Sequence, residues 1–282
     1  MLSVQSSNYS AREIEEKGYV TPDELDRLPE DLNFKVVRLL QSHSIKTTSL
    51  PECLSSLKFI HVVDLSSTQI QSDDLKFLPP RIRKLNISDC EEIEDLPSSL
   101  KELEFLTDLD VSNTYIKNEA LNNFPVTLKR LNMDSCKRVS KLPVSFIELR
   151  DLLFINISRT KIDTLQNLQT TVEVIEARFS SIDRLDDSFR SRARLRELHL
   201  ANKRFNVSGL EFFCYDVYSS AIELKTLTVD SESAKLFYNS VNTRFYQSSY
   251  TAERCVSLIK SLLKTKQANV YILTYEQSEY IT

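Results

Sequence analysis

Ile82-Arg83-Lys84-Leu85-Asn86-Ile87-Ser88-Asp89-Cys90-Glu91-Glu92-Ile93-Glu94-Asp95-Leu96-Pro97 is answered 46 residues later by Leu128-Lys129-Arg130-Leu131-Asn132-Met133-Asp134-Ser135-Cys136-Lys137-Arg138-Val139-Ser140-Lys141-Leu142-Pro143. The apolar, cysteine and proline positions of the two stretches coincide. The same interval of 46 separates Pro51, Pro97 and Pro143, then Pro79 and Pro125, then Thr68, Thr114 and Thr160. Three residue types on one period make an internal repeat, the mark of an array whose units bury their apolar faces only by stacking.

Each 46-residue unit divides into two shorter ones that open with L-x-x-L-x-L. The first form is the stretch above. The second runs Ile60, Val63, Leu65, Thr68, Ile70 and returns as Leu106, Leu109, Val111, Thr114, Ile116 and as Leu152, Ile155, Ile157, Thr160, Ile162. Flanking units open at Phe34, Val172 and Leu195, and a ninth at Leu224. The L-x-L core alternates inward and outward, the period of a strand. One short strand per unit, stacked, predicts a parallel sheet. Cys90, Cys136, Thr68, Thr114 and Thr160 fall where the chain leaves that sheet, and their short side chains are expected to bond neighbouring backbone as an interior ladder. Each Leu-Pro step predicts an extended segment on the return path, because proline removes a donor and biases its predecessor away from helix.

These residues resemble the leucine-rich repeat family over about residues 18–205, and to 230 if the ninth unit counts. C-x-x-L-x-x-L-P alternating with S-x-T-x-I looks most like the repeats of plant intracellular immune receptors. Similar repeats occur in effectors that intracellular bacteria deliver into eukaryotic hosts. Two departures stand out: Cys, Thr or Ser replaces the usual turn asparagine, and glycine is almost absent. The resemblance implies an α/β leucine-rich-repeat solenoid, with a curved parallel sheet on its concave face, an irregular or helical convex side and helical terminal caps. It further implies a non-enzymatic, monomeric module that binds a protein partner on the concave surface. A host-directed bacterial effector, translocated into host cytosol, is one context for it. The alternative is a substrate-recognition adaptor of a ubiquitin ligase, with a terminal segment recruiting the machinery.

The expected organisation is an N-terminal helical cap and half-repeat over 1–33, about eight repeats over 34–205, and a mostly helical C-terminal cap or small domain over 206–282. Residues 8–17 read as the first helix. Leu28-Pro29-Glu30-Asp31-Leu32 matches the opening of an F-box, but repeat one begins at Phe34, too soon for that module. Beyond 205, helices are expected over 210–221, over 231–247 and after Thr251, an N-cap residue, with a closing strand at 270–275.

Composition excludes several chemistries. Gly18 and Gly209 are the 2 glycines of 282 residues, so no glycine-clustered phosphate loop or nucleophile elbow is present. Prolines and the Cys, Thr and Ser turn positions are expected to make the reversals that glycine often supplies. Net charge is −4 and nothing resembles the basic field of a nucleic-acid binder. No apolar run reaches about 18–20 residues, so no membrane span is expected. Five cysteines without a C-x-x-C pair favour reduced thiols in an intracellular compartment over disulfides or zinc. No cofactor or metal is expected. His43, His61 and His199 read as separate surface residues. Cys214-x-Asp216 matches the motif of bacterial leucine-rich-repeat ubiquitin ligases, with too few residues after it for their catalytic domain. Asp73/Asp74 and Asp186/Asp187 read as solvated charge.

The register names the expected partner-facing residues. In L-x-x-L-x-L-x-x, positions 2, 3, 5, 7 and 8 point outward. Arg83/Lys84 and Lys129/Arg130 form basic pairs in repeats three and five, with Asp108 and Asp110 between them in repeat four. This pattern reads either as a self-satisfied cross-strand ladder or as a charged strip that sets register on a partner. Repeats six and seven add Leu153, Phe154, Val174 and Phe179, beside Glu176 and Arg178. Apolar side chains at nominally exposed positions mark an interface or the footprint of a C-terminal segment folded back on them.

Overall fold

A computed structural model describes residues 36–38, 48–50, 52–58, 60–182, 194–200, 224–230, 234, 235, 238, 257 and 269–273. The chain forms two compact units, 1–131 and 132–282. The first holds β1 (Val36–Arg38), β2 (Val62–Asp64), β3 (Lys84–Asn86), β4 (Asp108–Asp110) and all of β5 (Arg130–Asn132) but its last residue. The second holds β6 (Phe154–Asn156), β7 (Val174–Glu176), β8 (Glu197–His199), β9 (Thr226–Asp230) and β10 (Asn269–Leu273). Strands β1 to β8 begin at the third position of each L-x-x-L-x-L.

Within each unit the strands follow chain order and pair parallel without slip. By register Val37, Val63, Leu85 and Leu109 line up in the first unit. Ile155, Ile175, Leu198, Leu227 and Val270 line up in the second. A shift of one residue would turn every core side chain outward, so burial fixes the register. Positions 1, 4 and 6 are buried throughout the described repeats, as Ile82, Leu85 and Ile87 show in the first unit and Leu152, Ile155 and Ile157 in the second. The architecture is a repeat of short parallel strands.

Hydrogen bonding runs on past the strands. Leu65 N–H donates to the Asn86 carbonyl at 2.7 Å, and Ser67 N–H to the Ser88 carbonyl at 2.8 Å. In the second unit Met133 reaches Asn156 at 2.8 Å and Ser135 reaches Ser158 at 2.9 Å. The chain then turns sharply at position 8. Ser67, Asp89 and Asn113 in the first unit, and Ser135, Arg159 and Phe179 in the second, hold φ between 53° and 60°. That left-handed region costs a non-glycine residue about 1–2 kcal/mol. The reversal is therefore made one residue before the Cys, Thr or Ser to which the sequence assigned it.

The interior ladder is present at position 9. The hydroxyls of Thr68, Thr114 and Thr160 each donate at 2.7 Å to the carbonyl three residues back, at Leu65, Val111 and Ile157. Ser180 does the same to Ala177 at 2.8 Å. The Cys90 thiol donates to the Leu65 carbonyl of the preceding repeat at 3.1 Å and lies 3.5 Å from the Thr68 hydroxyl. Burial pushes that thiol up, so it keeps its proton and stays a weak donor.

The return segments carry short 3-10 helices, at Glu52–Ser56, Ser72–Phe77, Ser98–Glu102 and Ala120–Asn123 in the first unit and Val144–Glu148 in the second. Proline has two uses here. Pro97 and Pro143 are extended N-caps that open such helices; Pro79 and Pro125 follow the extended C-caps Leu78 and Phe124 that close them. Asp74, expected as solvated charge, instead accepts from Gln71 N–H at 2.8 Å and Leu50 N–H at 3.2 Å. Of the expected C-terminal helices, only Ala234, Lys235, Tyr238 and Ser257 are described, and all four are helical. The N-terminal cap, both glycines and the helix over 210–221 lie outside the described residues.

Two predictions follow from the core and the turn. Leu85→Ala should cost about 2–5 kcal/mol in denaturant unfolding, the range for a buried leucine. Ser67→Gly should raise stability by up to about 1 kcal/mol while Ser67→Val lowers it by about 1–2 kcal/mol, since only glycine enters the left-handed region freely.

Candidate protein-interaction face

Position 5 was expected to face a partner. In five consecutive repeats its side chain also serves the turn. Asp64 Oδ1 accepts from Ser66 N–H at 3.1 Å and its hydroxyl at 2.7 Å, and Asn86 Oδ1 accepts from Ser88 N–H at 3.0 Å. Asp110 Oδ1 accepts from Ser112 N–H at 2.9 Å and its hydroxyl at 2.6 Å. In the second unit Asn132 holds Asp134 N–H at 3.1 Å and Asn156 holds Ser158 N–H at 3.0 Å. These are Asx turns, in which a short side-chain acceptor takes the place of a backbone carbonyl and bonds the N–H two residues ahead. Asp110 is thus a turn residue on this face.

On the first unit position 8 is exposed at Ser67, Asp89 and Asn113, and positions 2 and 3 are exposed in repeats three and five. Arg83, Lys84, Lys129 and Arg130 are all exposed. Asp108 sits between the two pairs, its Oδ1 4.0 Å from Lys84 Nζ and 3.8 Å from Arg130 Nε, while Oδ2 accepts from the Thr107 hydroxyl at 2.8 Å. The structure therefore brings the charged residues together as a cross-strand ladder with one anion at its centre.

In the second unit Phe154 and Val174 are cross-strand partners on β6 and β7, both half-buried, and Leu153 beside them is 38% exposed. Phe179 is half-buried at the left-handed turn of its repeat. The Asx pattern ends at Glu176, whose longer side chain reaches Arg178 Nε at 3.4 Å and His199 Nε2 at 3.6 Å. Arg178 N–H takes the Ser158 hydroxyl instead, at 3.2 Å. His199, expected at the surface, is buried at 8% exposure. Its Nδ1 lies 2.8 Å from the Thr228 hydroxyl and 3.3 Å from an Arg178 nitrogen, and its Nε2 lies 3.6 Å from Glu197. His61 is half-buried, and His43 and Cys214-x-Asp216 lie outside the described residues.

Position 8, expected to point outward, also bonds the neighbouring repeat through its side chains. Asn113 donates to Asp89 at 2.7 Å in the first unit. Arg159 Nε donates to the Ser135 hydroxyl at 2.8 Å in the second, and its guanidinium pairs with Asp134. Half-burial outweighs that guanidinium and raises the Asp134 carboxyl above its ordinary range. Among the described residues no group of three His, Cys, Asp or Glu is placed to hold a metal, and no helix is long and apolar enough to cross a membrane. No protein-family model and no curated protein matches the chain.

Because folded Asp134 keeps its proton to higher pH than the unfolded chain does, its contribution to stability falls as pH rises through the carboxylate range. Asp134→Asn should therefore gain more at pH 7 than at pH 4 in urea midpoints. A loss that is larger at pH 7 than at pH 4 would show the Arg159 pairing to dominate.

Proposed function

We propose that this chain is a leucine-rich-repeat module whose open sheet faces bind a protein partner. One observation supports this most directly. Parallel sheets are ordinarily covered on both faces, yet here Lys84 and Arg130 leave 62% and 58% of their side chains exposed at strand positions. Repeat proteins use such uncovered strand faces as extended binding surfaces. Leu153, Phe154, Val174 and Phe179 add apolar side chains of the kind that anchor partners.

A photo-crosslinking residue tests the face directly. Placed at Lys84 or Leu153 it should capture partner from cell extract, and placed at Lys101 or Val144 on the return segments it should not. Capture from the return segments alone would contradict the reading. Phe154→Ala with Phe179→Ala should weaken partner binding by more than about 2 kcal/mol, a hot-spot loss, with an unchanged circular dichroism spectrum.

A further inference from the structure

Two stretches 46 residues apart share a turn and carry opposite charge. Asp89-Cys90-Glu91-Glu92-Ile93-Glu94-Asp95 in the first unit holds five acids and no base. Ser135-Cys136-Lys137-Arg138-Val139-Ser140-Lys141, at the same register in the second, holds three bases and no acid. Ile93 N–H donates to the Cys90 carbonyl at 3.2 Å, and Val139 N–H to the Cys136 carbonyl at 3.1 Å. The Ile93 and Val139 carbonyls in turn accept from Tyr115 and Lys161 of the following repeat, at 3.1 and 2.9 Å. Ile93 and Val139 are buried. Around them Glu91, Glu92, Glu94 and Asp95 are exposed on one unit, and Lys137, Arg138 and Lys141 on the other. Neighbouring residues do not cancel the difference. Lys117 pairs with Glu94 at 2.7 Å, and Glu119 beyond it is a further exposed acid. On the second unit Asp134 is already paired with Arg159, while Lys161 and Asp163, both exposed, offset each other. All of these positions lie past the strands, so both edges are separate from the sheet face.

We infer that these two edges bind each other between copies of the chain, the acidic edge of one copy against the basic edge of a second. The occupant follows from the match. Because the turns are alike, exposed charges recur at the same spacing with the sign reversed: Glu91 corresponds to Lys137, Glu92 to Arg138 and Asp95 to Lys141. The chain therefore carries the complement of its own edge. Opposite potentials steer the encounter and like edges repel, which sets the pairing. Exposed ion pairs are individually weak, so the association is reversible, favoured by high protein concentration and lost in salt. It replaces the single chain that the family resemblance implies, and it leaves the sheet face open for another protein.

Sedimentation equilibrium of the full chain at low salt should give a mass that rises with concentration. In about 1 M salt, where the screening length falls to about 3 Å, it should give the mass of one chain. Glu91→Lys with Glu92→Lys, and separately Lys137→Glu with Arg138→Glu, should each weaken self-association by at least about tenfold, because like charges then face each other. Mixing the two variants should restore association, since each copy again meets a complementary edge. The chain with all four reversals keeps the net charge of −4 and should associate as the original chain does. Circular dichroism spectra should be unchanged throughout. A chain that stays single at low salt, even one whose basic edge takes up an oligouridylate, would overturn the inference. So would association that survives either pair of reversals, or a mixture and a fourfold variant that both fail to regain it.

Discussion

Each repeat whose turn is described leaves its strand through a left-handed turn without glycine, and much of the described structure is arranged around that constraint. Position 8 takes the strained φ at Ser67, Asp89 and Asn113 in the first unit and at Ser135, Arg159 and Phe179 in the second. The strain is held from three sides. Position 5 supplies a short acceptor to the N–H of position 7, as Asp64 does for Ser66. Position 9 turns inward and its hydroxyl or thiol satisfies a buried carbonyl, as Thr68 does for Leu65. The N–H of position 8 is taken by the next repeat, as Ser67 bonds Ser88. A buried polar group left unpaired would cost more than the bond itself contributes, so these three partners are required together.

The turn in turn decides what remains on the open face. With position 5 bonded to the backbone and position 8 partly bonded to its neighbour, as in the Asn113–Asp89 bond, positions 2 and 3 are left outside the turn chemistry. There the first unit shows charge, and the second shows Leu153, Phe154 and Val174. The exception is informative. Glutamate at position 5 is too long for an Asx turn, and at Glu176 the side chain joins Arg178 and His199 instead. The polar cluster of the second unit begins at the repeat where the turn chemistry changes.

Much of the fold was legible because two independent signals agreed on it. The inward apolar residues had the period of a strand, and Cys90, Cys136 and the three threonines shared one interval with the prolines. Both pointed to the same strands and the same interior ladder. The candidate face was legible only in part. Asp108 at position 3 and Asp110, Asn86 and Asn132 at position 5 look alike as outward residues, and alternation alone cannot tell a side chain that faces solvent from one that bends back to its own backbone. The signal that separates them was present: Asp or Asn stood at position 5 in five successive repeats, whereas position 3 varied freely between Val, Lys, Asp, Arg and Phe. His199 was misjudged for a different reason. Its burial depends on Thr228, which is 29 residues ahead and belongs to a unit the sequence marks only weakly.

Amide hydrogen exchange at the turns tests the account most directly. The N–H groups of Ser67 and Asp89 belong to exposed residues, so an ordinary loop would exchange them quickly. The architecture predicts protection close to that of the strand-end amides of Leu65 and Ile87, because each donates to the following repeat and opens only with the surrounding sheet. Fast exchange at Ser67 and Asp89, with Leu65 and Ile87 still protected, would contradict it.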